Sequence, residues 1–318
     1  STLHNTLFPY TTLFRSYYDT PAFAAYQKQV GDPETMNLVW YEPSFAELAG
    51  FSEGVALDRY FRDTEVAVFR SAWDDTSAIY TGMMAGDNEA NHSNLDLGTF
   101  ILDADGVRWA TELGSDDYNM EGYFSDSLRW TYYRLRTEGQ NTLVFNPGVE
   151  PSQDPDAAAE ITRFESEADR AFAVADLSPA YADHAESVRR GLALTADRRQ
   201  VLVQDEITAS DPAELWWFMH TPAEIEVSGD GRTATLRAEG KTLEARLLAP
   251  TDGEFAVRDA QPLPGSPDPP PQAENDGIRK LSVHLTGVTD ERIAVLLIPV
   301  HEGEDRPSLP ELRPLEEW

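Results

Sequence analysis

Residues 91–113 read NHSNLDLGTFILDADGVRWATEL. Their second half decides the fold. Two short runs rich in β-branched and aromatic residues, LGTFILDA and VRWATEL, flank the Asp105-Gly106 pair. Asp-Gly between alternating hydrophobic runs is a strong local signal for a tight hairpin turn, because both central residues of that turn take positive φ. The first half is odder. A histidine, two amides and a carboxylate crowd into the approach to a strand that has no structural need of them, and polar groups carried at the end of a β scaffold are where sites are commonly built.

Outward from this hairpin the same alternation recurs. EVAVFRSA and SAIYTGMM precede it, and NTLVFN, AEITRFES, AFAVADL, RRGLAL, QVLVQDEI, AELWWFMHT, EIEVSG, TATLRAE, KTLEARLL, KLSVHLTG and RIAVLLIPV follow. Short strands separated by turn residues predict a mainly β protein, a large antiparallel sandwich over 55–318. SGDGR at 228–232 supplies a second hairpin turn, and QPLPGSPDPPPQAEND at 261–276 is a Pro-rich surface excursion, read as extended and mobile. Before residue 55 the pattern is helical. TPAFAAYQKQV opens with Thr at a cap position and Pro in the first turn, and DPETMNLVWYEP ends before Pro43. Residues 1–16 resemble translated sequencing adapter and are expected not to be native.

The chain has 318 residues, a formal net charge of −31 and no cysteine. Disulfides and thiolate metal sites are therefore excluded. Nucleic acid and anionic membrane are discarded as partners, because both are bound through Lys and Arg that release counterions from phosphate. No apolar run reaches the roughly 18 residues that a membrane span needs.

The residues that follow the hairpin carry a family likeness. NHSNLDLGTFILDADGVRWATELGSDDYNMEGYF (91–124), then RWTYYRLRTEGQNTLVFNPG (129–148), resembles the C-terminal β-sandwich of the heparinase II/III-like polysaccharide lyases. The likeness runs from about Asp63 to Glu206 and continues more weakly through WWFMHTPAEIEV. It implies an enzyme that cleaves uronic-acid polysaccharides by β-elimination, and a periplasmic or secreted setting. It also implies that residues 17–54 are the helical remnant of an α/α toroid.

The chemistry suits the residue types. Removing the C5 proton of a uronate needs a neutralised carboxylate, a base, and an acid for the leaving oxygen. On the family pattern His92 is a catalytic candidate, as base or carboxylate-side donor, and Tyr123 a second. Asn91, Tyr118 and Arg134 are substrate-binding candidates: aromatic faces stack on sugar rings and an Arg fork matches a carboxylate. The alternative for each is structural, a loop anchor or a histidine bonded to nearby backbone.

Where the family places a zinc-binding His, Asp and His, this sequence has Asn94, Glu112 and Gln140. Zinc prefers imidazole and thiolate, so no cofactor is expected. A hydrogen-bonded cluster of the three replaces the ion in this reading, with a hard cation such as Ca²⁺ as the alternative. Asp96 reads as structural, Gly98 as a point of close approach to the strand, and His220 as a satisfied core residue. His184, His284 and His301 lack clustered partners in sequence. The expected ligand is an acidic polysaccharide or oligosaccharide. The rival reading is a non-catalytic carbohydrate-binding or structural sandwich.

Overall fold

The computed structural model describes residues 55–318. Within them one compact unit comprises Asp58–Ser71 with Thr76–Trp318. The helices expected before residue 55 lie outside the described residues.

This unit is built almost wholly from antiparallel strands. A five-stranded sheet runs in the order β1 (Arg59–Phe61), β2 (Val66–Arg70), β3 (Tyr80–Met84), β5 (Phe100–Ala104) and β6 (Val107–Ala110). The 11-stranded sheet contains β4 (Gly86–Asp87), β7 (Leu143–Phe145), β8 (Ala158–Ser166), β9 (Ala171–Asp176), β10 (Ala185–Thr195) and β11 (Gln200–Thr221). It is completed by β12 (Glu224–Val227), β13 (Thr233–Ala238), β14 (Lys241–Ala249), β15 (Phe255–Asp259) and β16 (Arg279–Pro299). The hairpin from Asp103 to Gly106 forms as expected, with Asp105 at φ 57° and Gly106 at φ 78°.

The two sheets share one core. Phe69, Met83, Phe100, Leu102 and Trp109 from the smaller sheet belong to the same buried cluster as Leu192, Val203 and Trp217 from the larger. Alternation is clean where one face meets solvent, as in Val66–Arg70. It fails where both faces are covered. In β11 and β16 the runs Gln200–Asp205 and Ala294–Ile298 are buried throughout, because residues near the C-terminus lie against the outer face, where Leu315 joins Phe172, Leu202 and Leu296 in a second cluster. Each Å² of apolar surface removed from water contributes ~25 cal/mol, so such double-sided burial stabilises both strands.

Two pairs of expected strands prove to be continuous. QVLVQDEI and AELWWFMHT are halves of β11, and KLSVHLTG and RIAVLLIPV are halves of β16. Their ladder is irregular between Thr208 and Ala213 and again before Leu215. Asp211-Pro212 on one strand and Gly287 (φ 69°) on the other therefore mark a bulge and bend rather than a chain reversal. β15 was not anticipated. The Pro-rich excursion contains no strand, yet it is tied down: Glu138 accepts hydrogen bonds from Leu263 N (2.8 Å) and Ser266 Oγ (2.5 Å), and Gln272 Oε1 accepts one from Tyr133 N (2.8 Å).

A fully buried ion pair crosses the large sheet. Arg190 holds Asp205 side-on through Nε (2.7 Å) and Nη2 (2.9 Å), and its Nη1 donates to Gly98 O and Asn141 O, each 2.8 Å away. Burial pushes the Asp205 carboxyl up, and Arg190 opposes that shift.

Candidate active site around His92

The polar approach to β5 is not strand. Residues 88–99 form turns, and the strand begins at Phe100. Two features hold the segment in place. Gly98, at φ 87°, passes so close to the large sheet's side of the core that a Cβ there would sit 2.5 Å from Leu177 Cδ1, which is the close approach expected of it. Leu95 N donates to Leu135 O at 2.9 Å, joining the segment to the loop that follows β6.

His92 has φ 65°, a left-handed conformation that Asn, Asp and His adopt more readily than other side chains. It is exposed, and its ring stacks on Tyr118, with centroids 5.7 Å apart and planes at 24°. Phe124 meets the same ring edge-on at 5.5 Å. Tyr118 and Phe124 are 49% and 58% exposed, so both rings present a face to solvent. Tyr123 packs behind Tyr118 at 5.0 Å but is itself buried.

These residues open onto a pocket of about 340 Å³ lined by His92, Asn94, Asp96, Glu112, Tyr118 and Arg129, among others. Clefts of about 430 and 420 Å³ lie under the Pro-rich excursion and beside Trp318. Neither of these two contains a histidine, whereas the smaller pocket brings a histidine, two tyrosines and an arginine together.

The short helical turn α1 (Asp126–Arg129) delivers Arg129 to this pocket. Its guanidinium donates to Tyr123 O (2.7 Å) and to Ser93 O, and lies 5.1 Å from the Tyr123 ring centroid. Of the two arginines flanking this loop, Arg129 lines the pocket and Arg134 does not. Arg134 is spent on Asn275 Oδ1 (2.9 Å), Ser115 O (3.0 Å) and Glu274 O (3.4 Å). Asn91 is exposed but is not among the lining residues, whereas Tyr123 and Tyr118 are.

Burial raises the Tyr123 pKa, with Tyr118 and Asp116 adding to the shift against an Asp116 hydrogen bond and Arg129. The phenol is therefore suited to donating a proton or hydrogen bond and poorly suited to acting as a base. Asp96 is buried in the pocket wall, and burial, reinforced by the Glu112 charge, pushes it up to about 7.

The three positions where the family pattern holds zinc do not converge. Asn94 and Glu112 line the pocket, while Gln140 is buried with Nε2 donating to Arg134 O at 2.8 Å and Oε1 without a partner. Glu112 accepts from Gly114 N at 2.7 Å. No hydrogen bond among the described residues joins the three, so the expected cluster does not form. Two amides and one carboxylate, one of them turned away, are not a donor set that fits zinc. Among the described residues no group of three or more His, Asp or Glu side chains is placed to hold a metal ion.

The remaining histidines divide. His220 is a buried core residue, as expected. His284 stacks on Trp216 at 3.7 Å and bonds Glu214 (2.9 Å), and His301 bonds Asp105 (2.9 Å) and Glu304 (3.2 Å), so both have partners that the sequence did not disclose.

Residues 54–308 match the family model described as heparinase II/III-like, C-terminal. The chain belongs to this family. The heparinase II/III-like domain also has solved structural neighbours. It superposes on the BT4657 gene product, a heparinase III, with a TM-score of 0.64 and 18% identity, covering 86% of this chain and 40% of that one. On heparan sulfate lyase HepC from Pedobacter heparinus the TM-score is 0.67 at 13% identity, covering 96% and 43%. A further heparinase III gives 0.59 at 14% identity, covering 76% and 36%. At these identities the likeness establishes the fold, and the chain spans about two fifths of the length of these proteins. No curated protein matches the sequence. The family is one of polysaccharide lyases. Among the described residues no helix is long and apolar enough to cross a membrane.

Proposed function

We propose that this domain forms one wall of the active site of a lyase that cleaves uronic-acid-containing polysaccharides or oligosaccharides by β-elimination. The supporting observation is the exposed imidazole of His92, held on a left-handed residue at the mouth of a pocket that offers aromatic faces and a guanidinium. In this reading Tyr118 and Phe124 take the apolar face of a sugar ring, and Arg129 with Asn94 faces its carboxylate. Neutralising that carboxylate acidifies the C5 proton. His92 then takes the proton, or donates to the carboxylate while a group outside the described residues takes it. The C4–C5 double bond forms as the C4–O bond breaks, and the leaving oxygen takes a proton from a general acid, for which the Tyr123 hydroxyl is the candidate. Tyr123, kept protonated by burial, supports Tyr118 and supplies a hydroxyl to the wall. Asn91 reaches substrate only at the rim.

The pocket is open on one side, so we assign full turnover to a longer protein that closes it, and weak or no turnover to this chain alone. No metal takes part in this reading. A periplasmic or secreted setting follows from a polymeric substrate. The separated zinc positions favour one second reading, a sandwich that binds acidic carbohydrate without cleaving it.

Replacing His92 by Asn, which tolerates the left-handed backbone, in a longer homologue that carries the equivalent pocket separates the two. Turnover, followed by the ultraviolet absorbance of the unsaturated product, is expected to fall about 10²–10⁴-fold, with oligosaccharide affinity kept within roughly threefold. Unchanged turnover rejects the assignment of His92.

A further inference from the structure

We propose that Asn141 is the positioning residue of the His92 pocket, a single buried amide that fixes both walls at once; this rests on the functional reading above. Its backbone N donates to Thr99 Oγ1 (3.2 Å), and Thr99 lines the pocket on the His92 side. Its side-chain Nδ2 donates to Phe100 O (2.9 Å) and Thr111 O (2.8 Å), and Thr111 immediately precedes Glu112 on the opposite side. The other peptide group of Thr111 is held by the same assembly, with Thr111 N donating to His220 O at 2.9 Å.

The amide orientation is dictated rather than chosen. Because Nδ2 faces two carbonyls, Oδ1 must point to His220, where it accepts from the backbone N at 2.6 Å and faces Nδ1 at 3.1 Å. Nδ1 therefore carries the ring proton. Nε2 is left as an acceptor for the Tyr133 hydroxyl at 2.8 Å. Burial, with the nearby Lys280 ammonium, holds His220 far below its usual pKa, so the ring stays neutral and the tautomer is single. A neutral, singly tautomeric imidazole clamps Asn141 on one side, and Arg190 clamps its carbonyl at 2.8 Å on the other. Asn141 is 1% exposed and none of its polar atoms is left over for solvent or ligand. Its effect on substrate is transmitted through Thr99 and Thr111.

The test uses Asn141→Asp, which keeps the shape and the acceptor but turns an oxygen toward two carbonyls. Val144→Ala serves as a control; Val144 belongs to a separate cluster with Trp216, Phe218 and Leu263. Two readouts are compared in the full chain: amide hydrogen exchange at Thr111, and affinity for a uronate oligosaccharide. The expected result is exchange at Thr111 at least tenfold faster than global unfolding explains, and tenfold weaker binding. Val144→Ala, at a similar loss of Tm, is expected to leave affinity within twofold. Wild-type exchange at Thr111 in Asn141→Asp overturns the proposal, as does equal weakening by Val144→Ala. Failure of the wild-type chain to bind the oligosaccharide counts against the functional reading alone, and the exchange measurement still judges Asn141. Should Asn141→Asp not fold, Tyr133→Phe removes the hydroxyl that donates to His220 Nε2 and so loosens the ring that holds Asn141 Oδ1. It is expected to speed Thr111 exchange two- to fivefold, and no change overturns the proposal.

Discussion

His92 and Tyr118 are separated by a hairpin and a loop in sequence, yet their rings stack at 5.7 Å on the rim of one pocket. The pair gives this sandwich a surface with both a proton-transfer group and a sugar-stacking face. What holds it there is a buried polar framework, and that framework can be tested piece by piece.

Two buried ionisable groups set opposite pH slopes. Asp96 titrates near 7 in the fold against an ordinary 3.8, so the folded state binds more protons between those values and stability falls as pH rises from about 4 to about 7. Lys280, buried against Tyr133 and Phe218, is pushed down to about 7 from 10.5, chiefly by burial. The unfolded state then binds more protons between 7 and 10.5, and stability rises with pH across that window. Urea midpoints should show Asp96→Asn stabilising by about 2 kcal/mol or more above pH 7 and by little at pH 4. Lys280→Met should show its largest gain below pH 7, shrinking toward pH 10.5.

Gly98→Ala should cost about 2–4 kcal/mol, from the positive φ and the 2.5 Å approach to Leu177 together. Thermal or chemical unfolding measures it. A loss below about 1 kcal/mol would mean that Leu177 can move aside.

Arg190→Met leaves Asp205 buried without its partner and Gly98 O and Asn141 O without donors, and should cost about 3–5 kcal/mol. Arg190→Met with Asp205→Leu should recover much of that loss, because the stranded charge is gone. A double variant as unstable as the single would place the energy in the two carbonyl bonds instead.

The strands were legible wherever one face meets solvent, as in Val66–Arg70 and Thr233–Ala238, because period-two alternation survives there. Continuity across Pro212 and Gly287 was not, since the residues that bend paired strands are the same ones that end them. Within the site, His92, Tyr118 and Tyr123 stood out by type and come together in space. Arg129 is not marked by the sequence, because a single helical turn of four residues, Asp126–Arg129, leaves no periodicity to read. Asn141 was hidden for a different reason: its importance lies in carbonyls brought to it by β5 and β6, and backbone partners leave no trace in a sequence.

The most direct test of the account is whether an acidic sugar meets His92. The isotopically labelled chain would be titrated with a uronate-containing oligosaccharide while the ring signals of its histidines and tyrosines are followed. His92 and Tyr118 are expected to shift together and saturably while His184 and His284 stay fixed. Shifts centred on His284 and Trp216, or none at His92 where other sites saturate, would contradict it.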